Sequence, residues 1–135
     1  MRKTIIINFL MLVTVLFLSS CGKSTHDDSI QALTENNSGS SVTLLEGETF
    51  TVSLRGNGTT GYMWDVVPGA ESIVEQQGNM QYIVDSNLAG SPGTAIFTFK
   101  AIALGNATLQ LIYHRPWETG VPPIQTFEVT ISVTN

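Results

Sequence analysis

The 135-residue sequence has little of the chemistry on which most enzymes depend. Its one cysteine excludes an intramolecular disulfide framework and any metal site built from several thiolates. Two histidines, His26 and His114, are too few for a histidine-rich zinc site, so we expect neither a metal nor a cofactor. Six basic residues stand against 11 acidic ones, and the net charge of -5 argues against a nucleic-acid partner. The composition therefore predicts a protein that is not an enzyme.

Hydrophobicity is concentrated at the N-terminus. Two basic residues precede an apolar run over residues 5–18, and small residues and Cys21 follow it. This pattern predicts a secretory signal peptide, because the run is shorter than the ~20 apolar residues that a transmembrane helix needs. The segment ending at Cys21 resembles the lipobox of bacterial lipoproteins, which implies a signal peptide over residues 1–20 and a lipid on Cys21. An ordinary signal peptide followed by an accidental free cysteine is the alternative.

The segment after the cysteine is polar and rich in small residues. We expect residues 21–41 to form a flexible tether between the lipid and a folded domain over residues 42–135. A lipidated Cys21 predicts anchoring in the bacterial cell envelope, either periplasmic or surface-exposed, with the membrane as a partner through the lipid. We expect the domain to be monomeric.

Alternation with a period of two residues predicts strands across most of residues 42–135. It is longest over residues 126–134, and in residues 49–54 it places Phe50, Val52 and Leu54 on one face. No helical periodicity is sustained after the signal, and glycine-containing turns separate seven or eight short strands. The pattern predicts an all-β fold, a mostly antiparallel β-sandwich, with Trp64 in its core.

Three connections are longer or more unusual than simple hairpins require, namely residues 55–62, 87–94 and 114–123. Their glycines permit positive φ angles and close approach of another chain, and prolines restrict the backbone of the third. Trp117 stands among polar residues in the third connection, where an exposed aromatic side chain would anchor an interface. The alternatives are that the glycines only form turns and that Trp117 folds back as a lid over the core.

Each of the three connections contains a short motif. Residues 59–64 read Thr-Thr-Gly-Tyr-Met-Trp, residues 90–94 read Gly-Ser-Pro-Gly-Thr, and residues 115–118 read Arg-Pro-Trp-Glu. Together these motifs resemble those of chagasin-like inhibitors of papain-type cysteine proteases. The family's motifs are Asn-Pro-Thr-Thr-Gly-Tyr followed by Trp, then Gly-x-Gly-Gly, then Arg-Pro-Trp, and their order and spacing match. Two positions depart from the family: Gly58 replaces the proline of the first motif, and Pro92 replaces a glycine of the second.

The resemblance implies an immunoglobulin-like antiparallel β-sandwich whose three binding loops lie side by side at one end. It implies a reversible protein inhibitor that occludes the active-site cleft of a papain-type protease. Thr59, Thr60 and Gly61 would lie over the catalytic cysteine and histidine, and Trp117 would pack on the far cleft wall. The implied protease-binding residues are Asn57, Thr59, Thr60, Gly61, Tyr62, Gly90, Gly93, Arg115, Pro116 and Trp117.

A second interpretation keeps the fold and changes the function, since a fold alone does not fix a function. The chain would then be a surface adhesin or a glycan-binding immunoglobulin-like lipoprotein, with Tyr62, Trp64 and Trp117 as stacking platforms. An inert envelope lipoprotein is a further alternative. His114 favours no catalytic role, because the sequence offers it no nucleophile partner and Cys21 lies across the predicted tether.

Overall fold

A computed structural model describes residues 31–135 of the chain. Within these residues the chain forms nine strands, joined by turns and by two short 3-10 helices, Glu35–Asn37 and Gly58–Thr60. The strands are β1 Gln31–Thr34, β2 Ser41–Leu45, β3 Thr49–Gly56, β4 Met63–Val67, β5 Val74–Gln76, β6 Gln81–Val84, β7 Gly93–Ala101, β8 Gly105–His114 and β9 Gln125–Thr134. The predicted signal peptide and Cys21 lie outside the described residues. No helix within residues 31–135 is long and apolar enough to cross a membrane.

The strands form two sheets that pack face to face as a sandwich. The first sheet has the order β1-β3-β7-β5, and β6 also pairs with β7, while the second has the order β2-β9-β8-β4. Most strand pairs are antiparallel, and the exceptions are β1 with β3 and β2 with β9. Apolar side chains from the inner faces of both sheets form one core, as in immunoglobulin-like domains. The predicted all-β, mostly antiparallel sandwich is confirmed.

Strand alternation builds the core between the sheets. Phe50, Val52 and Leu54 of β3 are fully buried, as the sequence pattern predicts, and the Phe50 ring stacks on Phe99 with centroids 5.4 Å apart. Burying a side chain of this size contributes about 1.5–3 kcal/mol. Trp64 is 3% exposed, which confirms its place in the core, and its indole N–H donates to the Arg55 carbonyl oxygen at 2.9 Å.

The folded part begins earlier than the sequence pattern predicts. Residues 31–41 fall in the predicted tether, yet β1 pairs in parallel with β3, and Leu33 is 1% exposed within the core. The backbone N–H of Thr34 donates to Asn37 Oδ1 at 2.8 Å, which fixes the turn that carries the chain from the first sheet to the second. The predicted boundary, with the tether ending at residue 41 and the domain beginning at residue 42, is therefore wrong. Residues 31–41 belong to the sandwich.

The connections of interest lie at one end of the sandwich. Loop 1 (residues 57–62) crosses from β3 in the first sheet to β4 in the second. Loop 2 (residues 85–92) joins β6 to β7 within the first sheet, and loop 3 (residues 115–124) joins β8 to β9 within the second. The register pairs Gly56 with Gly93 and Met63 with His114, which brings all three loops to the same end. Because loop 1 crosses from one sheet to the other, it lies between loop 2 of the first sheet and loop 3 of the second.

Candidate functional site

Loop 1 is a capped turn of 3-10 helix. Asn57 is its N-cap, and the Asn57 Oδ1 atom accepts hydrogen bonds from the Thr59 N–H at 3.1 Å and the Thr59 hydroxyl at 2.7 Å. Capping of this kind satisfies backbone donors that a helix start leaves free. The Thr60 hydroxyl donates to the Asn57 carbonyl oxygen at 2.6 Å, and Gly61 ends the turn with φ of +82°. That left-handed conformation favours glycine, so the loop's shape follows from its sequence.

Two tyrosine hydroxyls hold the start of loop 1, one from each sheet. The Asn57 N–H donates to the hydroxyl of Tyr113 in β8 at 2.7 Å, and the Gly58 N–H donates to the hydroxyl of Tyr82 in β6 at 3.2 Å. The sequence motifs assign no role in the site to either tyrosine. One signal was available, because Tyr113 shares its strand face with buried apolar residues, and a buried tyrosine needs a partner for its hydroxyl.

Loop 3 is joined to loop 1 through Arg115. The Arg115 Nε–H donates to the Thr60 carbonyl oxygen at 3.2 Å, and the guanidinium carbon lies 4.4 Å from the centroid of the Tyr62 ring. Arg115 also donates to Glu118 at 3.2 Å within its own loop. An arginine has donors enough for all of these contacts, whereas a lysine lacks both the planar fork and the Nε–H. Arg115 therefore fixes the position of loop 3 relative to loop 1.

Trp117 lies at the surface beside loop 1. Its side chain is 66% exposed, so the alternative in which it covers the core as a lid is wrong. Its ring edge lies so close to Gly61 that a Cβ atom at that glycine would come 2.4 Å from Trp117 Cη2. The neighbouring Pro116 is also exposed. Together these residues present an aromatic surface next to the tip of loop 1.

Loop 2 is joined to loop 1 from the other side. The Asn57 Nδ2 atom donates to the Gly90 carbonyl oxygen at 3.2 Å, and Gly90 has φ of +79° and an exposed position. At the base of the loop, Arg55 donates to both carboxylate oxygens of Asp85, at 2.8 and 2.5 Å. These hydrogen bonds hold the pKa of Asp85 below its ordinary value, and they raise the pKa of Arg55.

The structure places Gly93 differently from the other predicted contact residues. Gly93 is the first residue of β7, it is buried, and it pairs with Gly56 and Val84. A Cβ atom there would lie 2.4 Å from the Ile83 carbonyl oxygen and 2.8 Å from the Tyr82 ring. Gly93 therefore serves the packing of the sheet beneath loop 2, which corrects the prediction that it is a surface contact.

The three loops form one continuous projecting edge, which we call the wedge. Loop 1 lies in the middle, bonded to loop 2 through Asn57 and Gly90 and to loop 3 through Thr60 and Arg115. Of the remaining predicted contacts, Thr59 is exposed and Tyr62 is half-buried under the arginine. Within residues 31–135, no three His, Cys, Asp or Glu side chains are grouped to hold a metal ion. The geometry is that of a binding surface whose parts are held in place before any partner arrives.

The family model of the chagasin family peptidase inhibitor I42 matches residues 43–131. The chain belongs to the chagasin family. Amoebiasin-1 of Entamoeba histolytica is 30% identical over 105 residues, covering 76% of this chain and 98% of that protein. Chagasin of Trypanosoma cruzi is 30% identical over 89 residues, covering 63% of this chain and 81% of chagasin.

Solved structures of similar proteins share the fold of this chagasin-family chain. The crystal structure of the cysteine protease inhibitor EhICP2 from Entamoeba histolytica superposes with a TM-score of 0.69 at 23% identity, covering 78% of this chain and 96% of that one. PbICP-C, solved in complex with falcipain-2, superposes with a TM-score of 0.55 at 17% identity, covering 77% and 99%. Membership of the family confirms the function that the three motifs implied: the chain is a cysteine protease inhibitor and not an enzyme.

Proposed function

We propose that this chain inhibits papain-type cysteine proteases reversibly, by inserting the wedge into the active-site cleft. The observation that carries the proposal is the bonding of three motif-bearing loops into one edge, through Asn57 to Gly90 and Arg115 to Thr60. PbICP-C, a protein of the same fold, was solved in complex with falcipain-2, and this supports a protease of that class as the partner.

Loop 1 would occupy the centre of the cleft. Thr59, Thr60 and Gly61 form its tip, and we assign them the position over the catalytic cysteine and histidine. Gly61 has no side chain, and this lets the Trp117 ring lie directly against the tip of the loop. The Thr60 hydroxyl and the Thr59 hydroxyl bond within the loop, which orders the tip.

Loops 2 and 3 would contact the two walls of the cleft. Trp117 is a largely exposed aromatic side chain of the wedge, and aromatic side chains of this kind dominate binding energy when a partner buries them. Gly90 on loop 2 is exposed, and a Cβ atom there would meet nothing within 4 Å, so the opposite wall could approach its backbone. Pro116 next to Trp117 restricts the third loop.

Inhibition of this kind requires no chemistry from the inhibitor. The wedge is held by hydrogen bonds and by the Arg115–Tyr62 contact before binding, which lowers the entropy lost on association. An ordered loop also does not move into the extended conformation that would present a scissile peptide to the nucleophile. An interface of standard size, about 1,600 Å² in total, is enough for tight binding when such anchors lie at its centre.

We also propose that the inhibitor acts from a membrane surface of the bacterial cell envelope, attached through a lipid on Cys21. The sequence of the N-terminal segment supports this, because a basic start, a short apolar run and a cysteine follow in the lipoprotein order. The strand register supports the same arrangement. β1 runs parallel to β3 from Gln31, which pairs with Phe50 near the end of β3 that is distant from loop 1. An anchor joined there would leave the wedge, on a monomer, facing away from the membrane.

The experiment for the inhibitor proposal is a titration of papain with the chain from residue 22, which contains every strand of the described sandwich. We expect activity to fall as inhibitor is added and to return on dilution, with the inhibitor recovered uncleaved. Undiminished papain activity at a large molar excess of the chain would contradict the inhibitor proposal.

The experiment for the membrane anchor is the substitution Cys21→Ser in the full-length chain, which should release the protein from the membrane fraction. Unchanged membrane association would contradict the lipid proposal and would leave the inhibitor proposal unaffected.

A further inference from the structure

Tyr82 lies outside the three motifs and yet touches the central loop. It belongs to β6 in the first sheet and is 39% exposed, so it is not part of the core. Its hydroxyl accepts a hydrogen bond from the Gly58 N–H at 3.2 Å and donates one to the Gly56 carbonyl oxygen at 3.1 Å. A single phenol group therefore bridges the end of β3 and the first residue of the 3-10 turn.

The Tyr82 ring has room to lie here because β7, the strand that follows loop 2, begins with a glycine, Gly93. A Cβ atom at Gly93 would lie 2.8 Å from Tyr82 Cζ and 2.9 Å from its hydroxyl oxygen, which is closer than such atoms approach in proteins. The tyrosine ring can reach loop 1 only because residue 93 is glycine. Tyr82 thus links the glycine of the second motif to the backbone of the first.

The position that Tyr82 holds is the one where this sequence departs from the first motif. Gly58 stands where the motif has proline, and an Asn-Gly segment loses more conformational freedom on ordering than an Asn-Pro segment does. Proline has no backbone N–H, whereas Gly58 has one that points at the Tyr82 hydroxyl. The hydrogen bond is possible only with the departure, and it restricts the same segment that proline would restrict.

The backbone would accept proline at residue 58. Asn57 has φ of -132° and ψ of 96°, an extended conformation close to the one found before proline, and Gly58 begins a 3-10 turn. A Cβ atom at Gly58 would lie 3.8 Å from the Tyr82 ring, an ordinary contact distance. The Cδ atom of proline, however, would take the place of the N–H hydrogen, so the Tyr82 hydroxyl would have to move away from residue 58. The two restrictions are therefore alternatives that cannot both act on this segment at once.

We infer that Tyr82 is a positioning residue for inhibition, and that its hydrogen bond to Gly58 performs the restriction that proline performs in the motif. The inference rests on the proposed function. Tyr82 acts through loop 1 and need not touch the protease. The Tyr113 hydroxyl holds the preceding residue, Asn57, from the second sheet, so loss of the Tyr82 hydroxyl loosens one side of the loop and leaves the sandwich folded.

The experiment compares four proteins in papain titrations: the chain from residue 22, Tyr82→Phe, Gly58→Pro, and the double variant. Tyr82→Phe removes two hydrogen bonds and should raise the inhibition constant about tenfold. In the Gly58→Pro background the bond to residue 58 is already absent, so the same change should cost about threefold or less. Gln81→Ala, on the same strand and farther from loop 1, is the matched control and should leave inhibition unchanged.

A readout independent of the protease follows the bond itself. Exchange of the Gly58 amide hydrogen, measured by NMR, should be slow in the parent chain and faster in Tyr82→Phe, while core amides such as that of Val52 keep their protection. The melting temperature should change little. This distinguishes a local positioning effect from a loss of global stability.

The possible results separate the inference from the proposed function. If the parent chain inhibits and Tyr82→Phe inhibits equally well, the inference fails while the proposed function stands. An equal effect of Tyr82→Phe with and without Gly58→Pro would also overturn it, because the effect would not pass through the residue 58 N–H. If the parent chain itself fails to inhibit, the proposed function fails, and the inference falls with it even if Gly58 exchange responds as expected.

Discussion

Trp117 lies against Gly61 so closely that a Cβ atom added to the glycine would stand 2.4 Å from the indole Cη2 atom. The most exposed aromatic side chain of the wedge is thus seated on the one position of loop 1 that has both a left-handed backbone and no side chain. Loops 1 and 3 are complementary in shape at this contact, and the wedge depends on it.

Gly61→Ala should disrupt the wedge without unfolding the sandwich. The substitution places a side chain at φ of +82°, which costs about 1–2 kcal/mol, and displaces Trp117 as well. We expect inhibition of papain to weaken by more than about tenfold. Gly47→Ala is the control, because Gly47 has φ of +90° and open space at the opposite end. Equal losses of inhibition in the two variants would show that the Trp117 contact is unimportant.

Truncating Trp117 should affect protease binding, whereas truncating Trp64 should affect the stability of the fold. Trp117→Ala removes an exposed side chain and should weaken protease binding by about 2 kcal/mol while leaving the melting temperature unchanged. Trp64→Ala removes a buried one and should lower the free energy of unfolding by about 3–5 kcal/mol. Inhibition constants and thermal melts measure both. A large drop in melting temperature for Trp117→Ala would argue that its role is structural.

Arg115→Lys keeps the charge and should still weaken inhibition. Lysine lacks the Nε–H that donates to the Thr60 carbonyl oxygen and the planar group that lies over Tyr62. The loss of these contacts should cost about 1–2 kcal/mol of binding, through a loosened loop 3. Glu118→Gln, which retains an acceptor for Arg115, is the milder comparison. An inhibition constant for Arg115→Lys equal to that of the parent chain would contradict the assignment.

The Arg55–Asp85 pair should make the attachment of loop 2 dependent on pH only in strong acid. Because the pKa of Asp85 is lowered in the folded state, the stabilisation is present above the ordinary pKa of the carboxyl group and is lost as the pH falls through the lower folded-state value. Asp85→Asn should therefore lower the melting temperature slightly near neutral pH, and the difference should vanish in strong acid. A difference that grew on acidification would contradict this sign.

β1 should matter for stability and not for inhibition. Leu33→Ala leaves a cavity in the core and should lower the free energy of unfolding by about 2–5 kcal/mol, whereas Ala32→Ser on the exposed face should be neutral. A chain beginning at Ser40 should be less stable than one beginning at residue 22, by urea unfolding. Equal stability of the two chains would indicate that residues 31–34 belong to the flexible tether and contribute nothing to the sandwich.

The sandwich was predictable because its strands alternate strictly, as in β9, where every second residue from Phe127 to Val133 is buried. β1 was not predictable, because four residues with a single buried side chain, Leu33, carry no periodic signal. That strand exists through pairing with β3, which is a tertiary effect.

The order of the motifs along the chain predicted which residues form the site, but it did not predict the contacts between those residues. Nothing in the sequence indicates that Arg115 reaches the Thr60 carbonyl oxygen or that Tyr82 reaches Gly58, since these bonds join residues far apart in the chain. Gly93 is a second case in which the motif alone was not enough. Its place in the motif predicted a surface contact, whereas its close contact with the neighbouring strand β6 gives it a role in packing.

The most direct test of the central claim is the titration of papain with the chain from residue 22, carried out in parallel with its Gly61→Ala variant. The wedge mechanism predicts that the parent chain abolishes activity reversibly and is recovered intact, and that the variant requires a far higher concentration for the same effect. Full papain activity in a large molar excess of the parent chain, or equal inhibition by the two proteins, would contradict it.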